Sequence, residues 1–182
     1  FNLMHCPFNN KNCKKKNQKI FLDLGKLPRV DVLLSKQDLK KKETTKPLKI
    51  YFCKKCFLVQ HPAYTDPKDI FVDDYIYYSS TVSSWVEHCQ EFVNQSIKRF
   101  SLSQKSFVIE VASNDGYLLQ NFVKKSIPCL GVEPSTGVIK EAKKKGVKTI
   151  NDFYNLVSSK KIIKSYPRAD LIIANNVLAH IP

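Results

Sequence analysis

The sequence predicts an α/β protein, in which a small cysteine-bearing N-terminal module precedes the first half of a Rossmann-like parallel sheet. Three observations carry that reading. From residue 107 onward, short apolar runs alternate with segments of helical period, the rhythm of parallel strands joined by crossover helices. Four of the six cysteines, Cys6, Cys13, Cys53 and Cys56, gather in the first third, where long apolar periodicity is missing. A length of 182 residues suits one domain or one and a half.

Three regions follow in order. Residues 1–62 are lysine-rich, and Phe21-Leu22-Asp23-Leu24-Gly25 reads as a strand and turn in a module held by something other than a large core. Residues 63–104 open with a loop-like aromatic segment and continue as a helix over 82–100. There Val82, Trp85, Val86, Cys89, Val93, Ile97 and Phe100 recur mostly at three- and four-residue steps, with Ser79, Ser80 or Thr81 available as N-cap. Cys89 lies on that apolar stripe and reads as core. Residues 105–182 predict strands at 107–111, 129–132, 147–150 and 169–174. Helices are expected at 116–124 and 136–145, with a short one before the last strand. Cys129, within the second of these strands, is expected to be a buried small side chain.

Composition narrows the function classes. The net charge of +14 invites a nucleic-acid partner, but only three of the 30 basic residues are arginine (Arg29, Arg99, Arg168). Base-reading and phosphate-clamping surfaces favour the planar arginine fork. The lysines fall in scattered clusters at 14–16, 40–42 and 143–145, without interleaved aromatics, so solvated faces are the simpler reading and a nucleic-acid partner is not expected. No apolar run reaches the ~20 residues that span a bilayer and no secretory signal is visible, so the expectation is a cytoplasmic protein with no membrane partner. Its cysteines are then metal ligands or buried thiols rather than disulfides.

The turn after the first parallel strand is the place where a sheet of this kind binds ligands. It reads Glu110-Val111-Ala112-Ser113-Asn114-Asp115-Gly116, with a single glycine. A dinucleotide fold wants several glycines there for close approach to a pyrophosphate, and the Asp115 carboxylate would repel one. Ser113, Asn114 and Asp115 suit a ligand that brings an amino group and hydroxyls. The second strand ends in Gly131-Val132-Glu133-Pro134, and an acid about 20 residues beyond the first strand is placed to accept from ribose hydroxyls. An adenosine that carries an amino acid and no pyrophosphate fits both turns, and S-adenosyl-L-methionine is that ligand. Asp152, after the third strand, is placed to meet the adenine edge. Asn175 and Asn176, after the fourth, would face the methionine part.

Cys53-x-x-Cys56 is a strong metal half-site, because two intervening residues let both thiolates face one tetrahedral ion. Cys6 and Cys13, six residues apart, form a weaker half, with His5 and His61 as fallback ligands. The expected ion is a structural Zn2+, since four protein ligands leave no open position.

Five ordered segments carry a family resemblance: Cys53-Lys54-Lys55-Cys56, Asp74-Tyr75-Ile76-Tyr77-Tyr78-Ser79-Ser80-Thr81, Ser113-Asn114-Asp115-Gly116-Tyr117-Leu118-Leu119, Gly131-Val132-Glu133-Pro134 and Asn175-Asn176-Val177-Leu178-Ala179-His180. Together they resemble the zinc-binding C-methyltransferases that act on nucleotide-linked deoxysugars. The resemblance implies a class I methyltransferase sheet and a turn that holds S-adenosylmethionine. It implies a small-molecule nucleotide-sugar substrate, methylated at a carbon next to a keto group. It also implies catalytic roles near the substrate for His180 and for a tyrosine of the aromatic segment, with Tyr75 and Tyr77 as candidates. Two departures stand out. The family's opening Cys-x-x-Cys would place its first thiolate at Asn10, so Cys6 must substitute, and its Pro-Leu-Ala-Asn is replaced by Pro28-Arg29-Val30-Asp31. Four strands are counted where such a sheet has about seven, so the chain is expected to be part of a longer protein and inactive alone. The competing readings are an RNA methyltransferase that grips RNA through its zinc module, and a non-catalytic zinc-binding α/β module.

Overall fold

The computed structural model describes residues 17–30, 32–62, 64–71 and 75–178. The chain divides into two compact units, Phe1–Ile70 and Phe71–Pro182.

In the first unit, β1 (Gln18–Pro28), β2 (Thr45–Cys53) and β3 (Val59–Gln60) form an antiparallel sheet in the order β1-β2-β3, and a single turn of helix, α1 (Pro67–Ile70), follows. The Asp-Leu-Gly predicted as a turn lies inside β1 as an irregularity. Pairing with β2 slips between Asp23 and Lys26, and Gly25 adopts φ +75° while its N–H donates to Asp23 Oδ1 at 3.0 Å. A residue without Cβ accepts that left-handed conformation at low cost. Asp23 also pairs with Lys49 of β2 at 2.8 Å, and this bond holds its carboxyl below the usual range. Cys53 is the only buried residue among the described residues of this unit, while Phe21, Val30 and Leu33 stand exposed. The unit therefore lacks a core of its own among the described residues, as its aperiodic sequence predicts.

In the second unit, α2 (Ser83–Phe100) precedes β4 (Val108–Val111), α3 (Gln120–Val123), β5 (Cys129–Val132), α4 (Thr136–Lys144), β6 (Thr149–Ile150), α5 (Leu156–Ser165) and β7 (Leu171–Ile173). The four strands are parallel in the order β6-β5-β4-β7. Chain order runs outward from β4 through β5 to β6 and then returns to the far side of β4, so the switch point lies at the end of β4. All four β4 residues are buried, and alternation sends Val108 and Ile109 into different cores. Val108 joins Cys89, Val93, Leu118, Phe122 and Val147, whereas Ile109 joins Phe107, Leu130, Val132 and Ile162. A parallel strand covered on both faces reads as the continuous apolar run the sequence shows.

Three expectations need correction. Helix α2 starts at Ser83 behind Val82, which supplies no side-chain cap. The proposed caps Ser79, Ser80 and Thr81 instead form a 3-10 turn, and the N–H groups of Ser79 and Ser80 donate to Asn114 and Asp115. The helix predicted over 116–124 is regular only at Gln120–Val123. Asn121 and Phe122 bond three residues back, to Leu118 and Leu119, so the flanking residues form turns. Cys129 is half-buried rather than enclosed, although Cys89 is buried as expected.

Candidate functional site

The turn at the switch point has an unusual backbone. Ala112, Asn114 and Gly116 all take left-handed φ, at +54°, +48° and +75°. Such values cost a residue with a Cβ about 1–2 kcal/mol, so Ala112 and Asn114 hold them only because their surroundings over-determine the path. Those surroundings are identifiable. The N–H groups of Ala112 and Ser113 donate to Val132 O, Gly116 N–H to Ser113 O, and Asn114 N–H to Glu133 Oε2 at 3.0 Å. Sequence reasoning counted one glycine and missed this alternation. Of the three only Asn114 and Gly116 are residue types that favour the left-handed region, and Ala112 carries no sequence signal for it.

Two glycines let the turn sit close. A Cβ on Gly116 would lie 3.0 Å from Val147 Cγ2 and 3.2 Å from the Ala142 backbone. A Cβ on Gly131 of β5 would lie 2.3 Å from Ser113 Oγ. The turn thus rests directly on β5 and on the end of α4.

Three buried acids surround it. Glu110 is 1% exposed, Asp115 1% and Glu133 3%. Burial pushes the Glu110 carboxyl well above its usual range, opposed by a hydrogen bond from the Tyr117 hydroxyl and reinforced by Glu133 and Asp115. Burial also raises Glu133, although the N–H groups of Ser135 and Asn114 partly offset it. Burial first, then Glu110, raises the Tyr117 phenol. Glu110 Oε2, Ser113 Oγ and Asp115 Oδ1 are buried without a hydrogen-bond partner among the described residues. The free oxygens of the Glu110 carboxyl and the Asp115 carboxylate fit a ligand that brings an ammonium or hydroxyls, and three buried acids do not fit a pyrophosphate.

The other expected residues stand as follows. Each Glu133 oxygen already accepts one backbone N–H, and the lone pairs left over are what a ribose could use. Pro134 is half-buried, and its carbonyl accepts from Asn151 Nδ2 at 2.7 Å. Asp152 follows β6, accepts from the Phe153 N–H and remains partly exposed. Asn175 and Asn176 follow β7 at the same edge of the sheet; Asn175 lines a groove of about 310 Å³ with Phe92, Arg99 and Ile173, and Asn176 is exposed at φ +54°. Tyr75 packs edge-on against Phe71, 5.4 Å between ring centroids, while the half-exposed Tyr77 accepts at its carbonyl from Asn114 Nδ2. His180 lies outside the described residues.

The cysteine half-site is a tight turn joining β2 to β3. Cys53 N–H donates to Leu58 O at 3.0 Å, and Phe57 N–H donates to Cys53 O at 2.8 Å. Phe57 takes φ +61°, a left-handed position a glycine would fill more cheaply. Cys53 is fully buried and Cys56 partly so. Two thiols on one turn supply half of a tetrahedral zinc donor set. Cys6 and Cys13, as well as His5, lie outside the described residues, among which no group of three or more candidate ligands occurs. No described helix is long and apolar enough to cross a membrane.

A protein-family model described as "Putative zinc binding domain" matches residues 11–71, the span of the cysteine turn and its sheet. The C-methyltransferase NovU of Streptomyces niveus is 27% identical over 161 residues, which cover 88% of this chain and 38% of that protein. The chain thus spans about two-fifths of the length of the curated relative it matches. The crystal structure of Streptomyces venezuelae DesVI aligns with 39% of this chain and 31% of its own, at 18% identity and a TM-score of 0.33. The resemblance carried by the five ordered motifs is borne out by the first two findings together, since a zinc-binding family segment and similarity to a C-methyltransferase fall on one chain.

Proposed function

We propose that this chain carries the zinc-binding module and the cofactor turn of an S-adenosylmethionine-dependent C-methyltransferase acting on a nucleotide-linked keto-deoxysugar. One observation carries the reading: a turn of alternating left-handed residues at the switch point, ringed by buried acids with unpaired oxygens. Similarity to a C-methyltransferase over 88% of the chain supports it.

In this reading residues 1–62 form the zinc module, 63–104 the aromatic segment and connecting helix, and 105–182 the cofactor-binding half-sheet. Glu133 accepts from ribose hydroxyls through its remaining lone pairs. Asp115 offers its free oxygen to an ammonium, Glu110, which burial keeps protonated, exchanges a hydrogen bond with a ligand hydroxyl, and Asp152 borders the adenine. Asn175 and Asn176 bond the amino-acid end. When bound, the cofactor supplies an electrophilic methyl on a sulfonium. The chain's own task is to orient a sugar whose C3 proton is acidified by the adjacent keto group, and to exclude water from that carbon. His180 and Tyr75 or Tyr77 hold charge that develops at the sugar; Tyr77 is close enough to Tyr117 to act on its phenol, whereas Tyr75 packs on Phe71. Cys53, Cys56, Cys6 and Cys13 hold a structural Zn2+.

The test uses the full-length gene product and a 4-keto-deoxysugar nucleotide in deuterated water. Solvent deuterium at C3 without cofactor, and methylation with it, are the expected results. Neither exchange nor methylation with any keto-sugar nucleotide, alongside salt-dependent RNA binding, would replace the sugar reading by the RNA one.

A further inference from the structure

The side chains of Asn114 and Asp115 spend most of their hydrogen-bonding capacity on the protein itself. Asn114 Oδ1 accepts the Ser79 N–H at 2.9 Å, and its Nδ2 donates to Tyr77 O at 3.0 Å. Asp115 Oδ2 accepts from the Ser80 hydroxyl and, weakly, from the Ser80 N–H at 3.4 Å. Lys145 closes the arrangement. Its Nζ donates to Asp115 Oδ2 at 2.8 Å, to Asp115 O at 2.8 Å and to Ser80 Oγ at 2.9 Å. The lysine side chain is 23% exposed and its carboxylate partner 1%, so this is a pair largely withdrawn from water, unlike the exposed Lys144–Glu141 pair beside it. A lysine at the end of α4 can reach the turn because Gly116 lets Ala142 and Val147 approach so closely.

We infer that Lys145 is a positioning residue for the substrate side of the site: its ammonium ties Asp115 to Ser80 and so latches the tyrosine segment, 75–81, onto the cofactor turn. The functional meaning rests on the reading of 110–116 as a cofactor turn, while the latch itself rests only on these bonds. All three Nζ bonds are used, so a group with one positive charge and no directed donors would not replace it. Removing Lys145 leaves Asp115 buried with no cation and Ser80 without its second partner. The backbone of Tyr77 then depends on Asn114 alone.

Residue-resolved hydrogen–deuterium exchange on the 182-residue chain tests the latch. In Lys145→Met the amides of Ser79 and Ser80 should exchange at least tenfold faster, while those of Ile109 and Leu130 stay within twofold. Ser80→Ala, which removes the bridging hydroxyl but keeps the ion pair, should speed the Ser79 amide in the same direction. Lys145→Arg should return it at least halfway. With 3-fluorotyrosine labelling, the Tyr77 fluorine line, assigned through Tyr77→Phe, should broaden in Lys145→Met and recover in Lys145→Arg, with the Tyr117 line unmoved. Wild-type exchange at Ser79 and Ser80 in both variants, or acceleration spread equally to Ile109 and Leu130, would overturn the inference. Calorimetric titration of the full-length gene product with S-adenosylmethionine separates the two claims. No response from wild type would sink the cofactor reading and leave the exchange result standing.

Discussion

Gly116→Ala tests the geometry on which the site depends. The substitution meets two costs. A left-handed φ of +75° costs a residue with a Cβ about 1–2 kcal/mol, of which the stiffer unfolded chain returns roughly 0.4–1. The new methyl would also lie 3.0 Å from Val147 Cγ2 and 3.2 Å from both Ala142 Cα and Cβ, and overpacking of this kind costs about 1–3 kcal/mol. The sum is about 1–4.5 kcal/mol, on the order of 10 °C in melting temperature for a unit of this size. Urea denaturation with Trp85 fluorescence reads it. Adding Val147→Ala should recover only part, because the Ala142 backbone stays where it is. Ala112→Gly in the same turn should have the opposite sign and stabilise by about 0.5–1 kcal/mol, since it removes left-handed strain where no side chain is needed. A Gly116→Ala protein within about 0.5 kcal/mol of wild type would refute both the left-handed path and the close approach.

Glu110→Gln should stabilise the protein at neutral pH. The folded carboxyl keeps its proton above the unfolded pKa of about 4.3, so wild-type stability falls as pH rises through that value until the folded pKa is reached. The variant's advantage should be absent near pH 4 and grow by up to about 1.4 kcal/mol per pH unit above it; a wild type that is the more stable protein at pH 7 would mean Glu110 is held ionised. Cys89 and Cys129, pushed up to about 11 and about 12 mainly by burial, should resist iodoacetamide at pH 8 in the folded protein, and rapid labelling of either would contradict the packing described. Purified protein should carry about one zinc per chain by elemental analysis, and Cys53→Ser should release it and expose the first unit to proteolysis. A metal-free first unit that still resists proteolysis would remove the zinc module from the account.

The parallel half-sheet was legible because each of its strands is an apolar run and each crossover keeps helical period, so β4 to β7 fall within the segments expected. What escaped notice was chemistry that periodicity does not carry. Ala112 and Asn114 occupy positions where a glycine search finds nothing, because their left-handed φ is held by the bonds their N–H groups donate to Val132 O and Glu133 Oε2. Ser79 and Ser80 looked like helix caps, yet the side chains that complete their bonds lie 35 residues further on. Lys145 sat in a lysine cluster that reads as a solvated face. Only the close approach of Gly116 to α4 reveals that it points inward to Asp115 while Lys144 pairs outward with Glu141. The Cys53-x-x-Cys56 spacing was legible as a turn that brings two thiols together, and Cys53 is the one buried residue among the described residues of its unit.

The claim on which the account rests is that the turn from Glu110 to Gly116, with Glu133, holds S-adenosylmethionine. Calorimetric titration of the full-length gene product with S-adenosylmethionine and with NAD, each against wild type and Glu133→Gln, tests it most directly. Glu133→Gln leaves one acceptor oxygen for the two backbone N–H groups of Asn114 and Ser135, so the melting temperature of the variant is read first, to establish that the turn survives the loss of one bond. The account predicts binding of S-adenosylmethionine, weakened by about 1–3 kcal/mol in the variant, and no heat from NAD. NAD binding, or S-adenosylmethionine affinity unchanged by Glu133→Gln, would place the ligand elsewhere and contradict it.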